Sequence, residues 1–172
     1  MLTLTKYSQQ GVALVVSLVM LLVMSLLAVS SMNTTVLEEK MAGNYKDRNM
    51  AFQAAEAGLR AGETFLRTTP VLPLFDGTIA GLYQPTSSGL PRWNEGVVTW
   101  SAAGEVKTYP ASTLSDISSP PVYIIEELAP IKDAGGSLEA GVALERRYYR
   151  ITSRAVGGTD TAVVMLQSTY KR

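Results

Sequence analysis

The run GVALVVSLVMLLVMSLLAVSS, residues 11–31, decides the fold. It lies within thirty-one consecutive uncharged residues between Lys6 and Glu38. Around 20 apolar residues, each rising 1.5 Å in a helix, cross a hydrocarbon core of ~30 Å, so Val12 to Ser31 is long enough to span a membrane. Lys6 and the starting amine precede the run, whereas Glu38, Glu39 and Lys40 follow it. That asymmetry favours an N-inside orientation with the bulk of the chain exported.

Three readings compete for this segment. A cleaved secretory signal has a shorter apolar region and a small-x-small site, which Ala28-Val29-Ser30 fits loosely. A plain single-span anchor fits the length but gives no reason for the flanking sequence. The third reading uses both flanks. Downstream of Ser31, apolar or small residues recur at helical spacing: Leu37, Met41, Tyr45, Phe52, Ala55, Leu59, Gly62 and Leu66. No proline interrupts Val12 to Thr69, and Pro70 and Pro73 end the pattern. A single helix of roughly 80 Å is expected, with an outer half that needs something to pack on.

Composition narrows the chemistry. Fifteen basic residues balance fifteen acidic ones, so no net charge argues for nucleic acid. The chain has neither cysteine nor histidine, which removes thiol nucleophiles, disulfides, the usual zinc sites and the commonest general base. No nucleophile elbow is present, and Gly135-Gly136-Ser137 lacks the spacing of a phosphate-binding loop. No enzyme and no cofactor are expected. Asp116, Glu126, Glu127, Asp133 and Glu139 could surround calcium, but no EF-hand pattern is present and a hydrated surface explains such acids as well.

Gly11 directly precedes the apolar run and follows a short polar leader, and the run continues as an amphipathic helix. This arrangement resembles the type IV prepilins. The resemblance implies that a prepilin peptidase cuts between Gly11 and Val12, commonly with methylation of the new amine. More specifically, Gly11 to Leu27, Asn33 to Asn44, Arg48-Asn49 and Ala51 to Ala57 resemble the PilX family of minor pilins. Tyr149 to Tyr170 also looks like that family's C-terminal end, whereas Pro70 to Glu145 is not matched. Major pilins carry a glutamate at the fifth mature position, where this chain has Val16. That acid is thought in the family to meet the terminal amine of the preceding subunit, so its absence implies a first-entering or tip subunit. The same absence resembles the GspK-type pseudopilins of type II secretion.

The resemblance implies a protein of the bacterial inner membrane that later joins a pilus fibre at the cell surface. Its implied partners are other minor pilins, the major pilin, the inner-membrane assembly platform and a tip-associated PilY-type adhesin. A type II secretion pseudopilin and a tethered binding or adhesion module are the competing functions.

All eight prolines lie between Pro70 and Pro130. Val97 to Trp100, Val122 to Ile125, Tyr148 to Ala155 and Ala162 to Tyr170 read as strands, the last two joined through Gly157-Gly158-Thr159-Asp160. The expected fold is α+β and type IV pilin-like: a long membrane-spanning N-terminal helix whose outer half packs on a C-terminal antiparallel sheet. The expected parts are a leader 1–11, a transmembrane half 12–31, an outer half 32–69 and a head 70–172, with an irregular region 70–145 and a hairpin 146–172. Period-two spacing sets Arg146, Arg150 and Arg154 on one strand face, a solvated surface or a patch for an acidic partner. Trp93, Trp100, Tyr109 and Tyr123 read as core or loop clamps rather than a binding surface.

Overall fold

A computed structural model describes residues 11–102, 104–110, 114–132 and 145–172. Leader residues 1–10, Asp133, Glu139 and Gly135-Gly136-Ser137 lie outside the described residues. The chain divides into two units, Met1–Gly43 and Asn44–Arg172.

In the first unit every described residue from 12 to 43 belongs to helix α1, Val12–Thr68, and is exposed. This helix is long and apolar enough to cross a membrane. Its hydroxyls are satisfied locally. Ser17 Oγ donates to the Leu14 carbonyl at 2.9 Å and Ser25 Oγ to the Leu21 carbonyl at 2.8 Å. Thr34 and Thr35 bond the carbonyls four residues earlier, each at 3.2 Å. A hydroxyl left unbonded in lipid costs several kcal/mol, so this back-bonding makes the polar positions compatible with an apolar surround.

The second unit wraps a mixed sheet on the later part of α1. The strands are β1 (Leu82–Tyr83), β2 (Lys107–Thr108), β3 (Val122–Glu127), β6 (Tyr148–Val156) and β7 (Val163–Lys171), with a separate pair β4 (Ile131–Lys132) and β5 (Glu145–Arg146). Along the sheet the order is β1-β3-β6-β7, and β2 also pairs with β3. The β6–β7 hairpin is regular, running from Tyr148↔Lys171 to Val156↔Val163. The antiparallel expectation needs one correction, because β1 runs parallel to β3. Two short strands share the outer edge of β3: β1 opposite Ile125 and Glu126, β2 opposite Tyr123 and Val122. Gly81 stands where they meet. Its φ is +73°, and a Cβ there would lie 2.8 Å from the Lys107 nitrogen, so both the backbone angle and the space demand glycine.

Helix and sheet meet through small residues. The buried face of α1 is Ala51, Ala54, Ala55, Gly58, Gly62 and Leu66. Ala54 and Ala55 cluster with Ala155, a Cβ on Gly58 would strike Ser153, and one on Gly62 would lie 2.7 Å from Ile151 Cγ2. The helix therefore runs antiparallel to β6. Four helical residues rise about 6.0 Å and two strand residues about 6.6 Å, so the two repeats keep step over these contacts. Of the residues expected at helical spacing, Ala55, Gly62 and Leu66 lie on this buried face. Tyr45 and Phe52 are exposed, and where the helix comes closest to the sheet, from Ala51 to Gly62, its inner face carries only alanine and glycine.

Leu66, Phe75, Leu82, Tyr123, Ile125, Tyr149 and Ile151 form the core beneath the helix. The opposite sheet face carries Tyr83, Val98, Val106 and Ile124, with Trp100 and Val122 packed against them. Residues 97–100 are not a strand: Val98 is buried and Trp100 half-buried in the loop layer that covers this face. Tyr123 is core, Tyr109 half-buried and Trp93 partly exposed. The helix ends at Thr68, as Pro70 requires, and the Arg172 guanidinium donates to the carbonyls of Thr69 (2.8 Å) and Pro70 (3.1 Å).

Candidate functional site

At the start of the first unit Gly11 has φ +114°, a backbone angle comfortable only for glycine, and its carbonyl accepts the Val15 N–H at 3.3 Å. The helix begins one residue later, at Val12. The Gly11–Val12 peptide thus sits at the junction between a non-helical residue and a helix. Val16 is one turn further on, on the same face as Val12 and half exposed. From Val12 to Leu37 the chain contains no acidic residue.

In the second unit the register sorts the three arginines apart. Arg154 lies opposite Val122 and Met165; Thr152 opposite Ile124 and Gln167; Arg150 opposite Glu126 and Thr169. Arg150 Nη1 stands 3.8 Å from Glu126 Oε2, with side chains 18% and 0% exposed. Glu126 Oε1 also accepts the backbone N–H of Arg92 at 3.2 Å, which ties the loop layer to the sheet. Arg146 is exposed on β5, paired opposite Ile131. The three side chains therefore do not make one open basic row. Loop residues cover part of that face, and Glu126 engages its central arginine. Glu126 and Arg150 were missed as a pairing because only the β3–β6 register brings them together; the alternation Val122, Ile124, Glu126 was the available signal.

Of the acids considered for calcium, Asp116 is exposed, and Glu127 faces Arg147 at 3.4 Å. Among the described residues, no three metal-ligating side chains converge.

A polar clamp joins the hairpin tip to the helix. Thr159 donates its backbone N–H to Asp47 Oδ1 at 3.2 Å and its hydroxyl to Asp47 Oδ2. The Thr159 hydroxyl holds the Asp47 carboxyl below its ordinary range, the backbone N–H groups of Thr159 and Gly158 adding to the effect. Ser118 donates its N–H to the Gly157 carbonyl at 2.7 Å and its hydroxyl to Asp160. Sequence reading found the turn but not its anchor.

Searches of curated proteins and of solved structures each returned no match. A family model described as PilX N-terminal matches residues 10–60. The matched stretch runs from the residue before Gly11 through the apolar helix and into the small-residue face at Ala51, Ala54, Ala55 and Gly58. It supports a type IV pilin-related role, with association to membrane and pilus components. Over residues 10–60 the chain is therefore similar to the N-terminal domain of the PilX pilins.

Proposed function

We propose that this chain is a minor pilin that primes type IV pilus growth and sits at or near the fibre tip, beside other minor pilins and a PilY-type adhesin. The observation that carries the reading is Val16. A carboxylate inside a bilayer costs on the order of a few kcal/mol and is retained where it has a partner to meet. A first subunit has no predecessor and needs no such acid, while its own Val12 amine stays available to the glutamate of the next major pilin. The glycine junction at Gly11 supports maturation by a prepilin peptidase before the helix leaves the inner membrane for the fibre.

Sheared fibres carrying a tagged copy test the position. The label is expected in small amounts and at one end; uniform labelling along the shaft rejects the tip. The same valine also suits a type II secretion pseudopilin. Deletion that abolishes secretion and leaves surface pili intact would favour that role instead.

A further inference from the structure

The two arginines on the outer face of β6 have different surroundings. Arg150 has Glu126 opposite it, whereas Arg154 has Val122 on one side and Met165 on the other. Arg154 is half-buried, and no carboxylate among the described residues lies within ion-pairing distance of it. Taking a guanidinium partly out of water without an anion is unfavourable, and its planar fork suits a carboxylate held by two bonds.

Arg154 also lines a cleft of ≈ 360 Å³ with Trp100, Val106, Thr108 and Ser119. That volume is at the small end of ligand pockets. The cleft combines one cation, an indole and three hydroxyl residues, Ser101, Thr108 and Ser119. An indole offers an apolar platform, and the hydroxyls can donate to or accept from ring hydroxyls. We propose that this cleft binds an acidic sugar of the hexuronate class, its carboxylate on Arg154, its ring against Trp100 and its hydroxyls towards Thr108 and Ser119. A bare anion would use only the arginine, and a neutral sugar would leave it unpaired.

Titration of the full chain in detergent with glucuronate, glucose and acetate, followed by calorimetry, tests the assignment. Saturable glucuronate binding is expected, at least tenfold tighter than either glucose or acetate. Arg154→Gln should weaken glucuronate at least tenfold while the melting temperature is held. Ser119→Glu, at an exposed position of the cleft lining, should also abolish binding by supplying an internal carboxylate and removing one hydroxyl contact. This second variant decides the matter if Arg154→Gln fails to fold. Absence of saturation by glucuronate overturns the proposal, as does equal binding of acetate or unchanged affinity in a folded Arg154→Gln. A poly-glutamate peptide that binds the wild type where glucuronate does not overturns it too, and assigns the cleft to an acidic protein.

Discussion

Gly157, at the end of β6, lies so close to Asp47 of the helix that a Cβ built on it would stand 2.9 Å from Asp47 Cγ and collide with the Asp47 carbonyl oxygen. Gly157 also donates its N–H to the Ala162 carbonyl at 3.0 Å, closing the loop between the hairpin strands. Helix and hairpin tip are thus in backbone contact. Gly157→Ala should force them apart and cost about 1–3 kcal/mol, the usual range for overpacking. Gly158→Ala meets Met50 Cε at 3.2 Å and the Asp116 carbonyl oxygen at 3.3 Å, contacts that are tight by a few tenths of an ångström and not collisions, and should cost less. Thermal melts of the two variants in the same detergent check the order; equal melting temperatures would contradict the close approach at Gly157.

The clamp on Asp47 should leave a signature in acid. Its carboxyl is held below the ordinary value, first by the Thr159 hydroxyl. A depressed folded-state value means that the stabilisation is present above the unfolded value of ~3.9 and is lost as pH falls through the lower folded value. Wild type should therefore melt above Asp47→Asn by a constant margin from neutral pH to about 5, and the margin should shrink below about 4. A margin that is insensitive to acid would remove Asp47 from the clamp.

At the helix–sheet contact, Gly62→Ala pits a helix-propensity gain of about 1 kcal/mol against collision with Ile151. Ile151 is β-branched and buried, with Cγ2 only 2.7 Å from the added carbon, so collision should win and the variant should be destabilised. Gly58→Ala meets the Ser153 hydroxyl instead, with Ser153 Cβ at 3.4 Å, an ordinary contact distance. Adding Ser153→Ala should recover most of its loss. A double-mutant cycle with no coupling would show that the helix does not press on β6 at this point.

The long helix was legible because a proline-free run with apolar spacing is bounded by Gly11 and Pro70. The β6–β7 hairpin was legible from alternating residues around Gly157-Gly158. The expected stripe of apolar or small residues includes Ala55, Gly62 and Leu66, which are buried, and Met41, Tyr45 and Phe52, which are exposed. At a close helix–sheet approach the signal is smallness, here Ala51, Ala55, Gly58 and Gly62 at helical intervals. Two-residue β1 and β2 were invisible to periodicity, since the edge of β3 and the tight meeting at Gly81 define them. Val97 to Trp100 has strand composition, but its apolar residues cover the sheet from the loop layer. Of the proposed N-terminal site, Gly11 and Val12 are marked in the sequence by the boundary of the apolar run, whereas Val16 is singled out only by the resemblance to the pilins. The Arg150–Glu126 pair could not be located from the sequence, since it exists only once β3 and β6 are in register.

That pair predicts strong non-additivity. Glu126 is fully buried and also holds the Arg92 N–H, so Arg150→Met alone leaves a buried carboxylate without its cation. Breaking a buried pair costs ~3–5 kcal/mol, which partial exposure of Arg150 should reduce to about 2–4 kcal/mol. Glu126→Leu with Arg150→Met removes both charges and should cost clearly less than the sum of the single changes. Chemical denaturation of the four chains measures the coupling, and simple additivity would argue that the two side chains do not interact.

Processing at Gly11 supplies the last expectation. The proposed cut lies between a glycine with φ +114° and the first residue of the helix, where the chain leaves helical geometry. A peptidase needs an extended segment in its site, and a non-helical residue before the bond spares it the unwinding of a hydrogen-bonded turn. Gly11→Leu would put a side chain on a backbone angle that only glycine adopts comfortably. The leader would then have to re-form its junction with the helix. Mature wild-type protein should yield an N-terminal sequence beginning at Val12, whereas Gly11→Leu should accumulate with residues 1–11 retained and stay out of the fibre. A wild-type sequence that begins at Met1 would contradict the cut, and one that begins at Ser31 would return the segment to the secretory class.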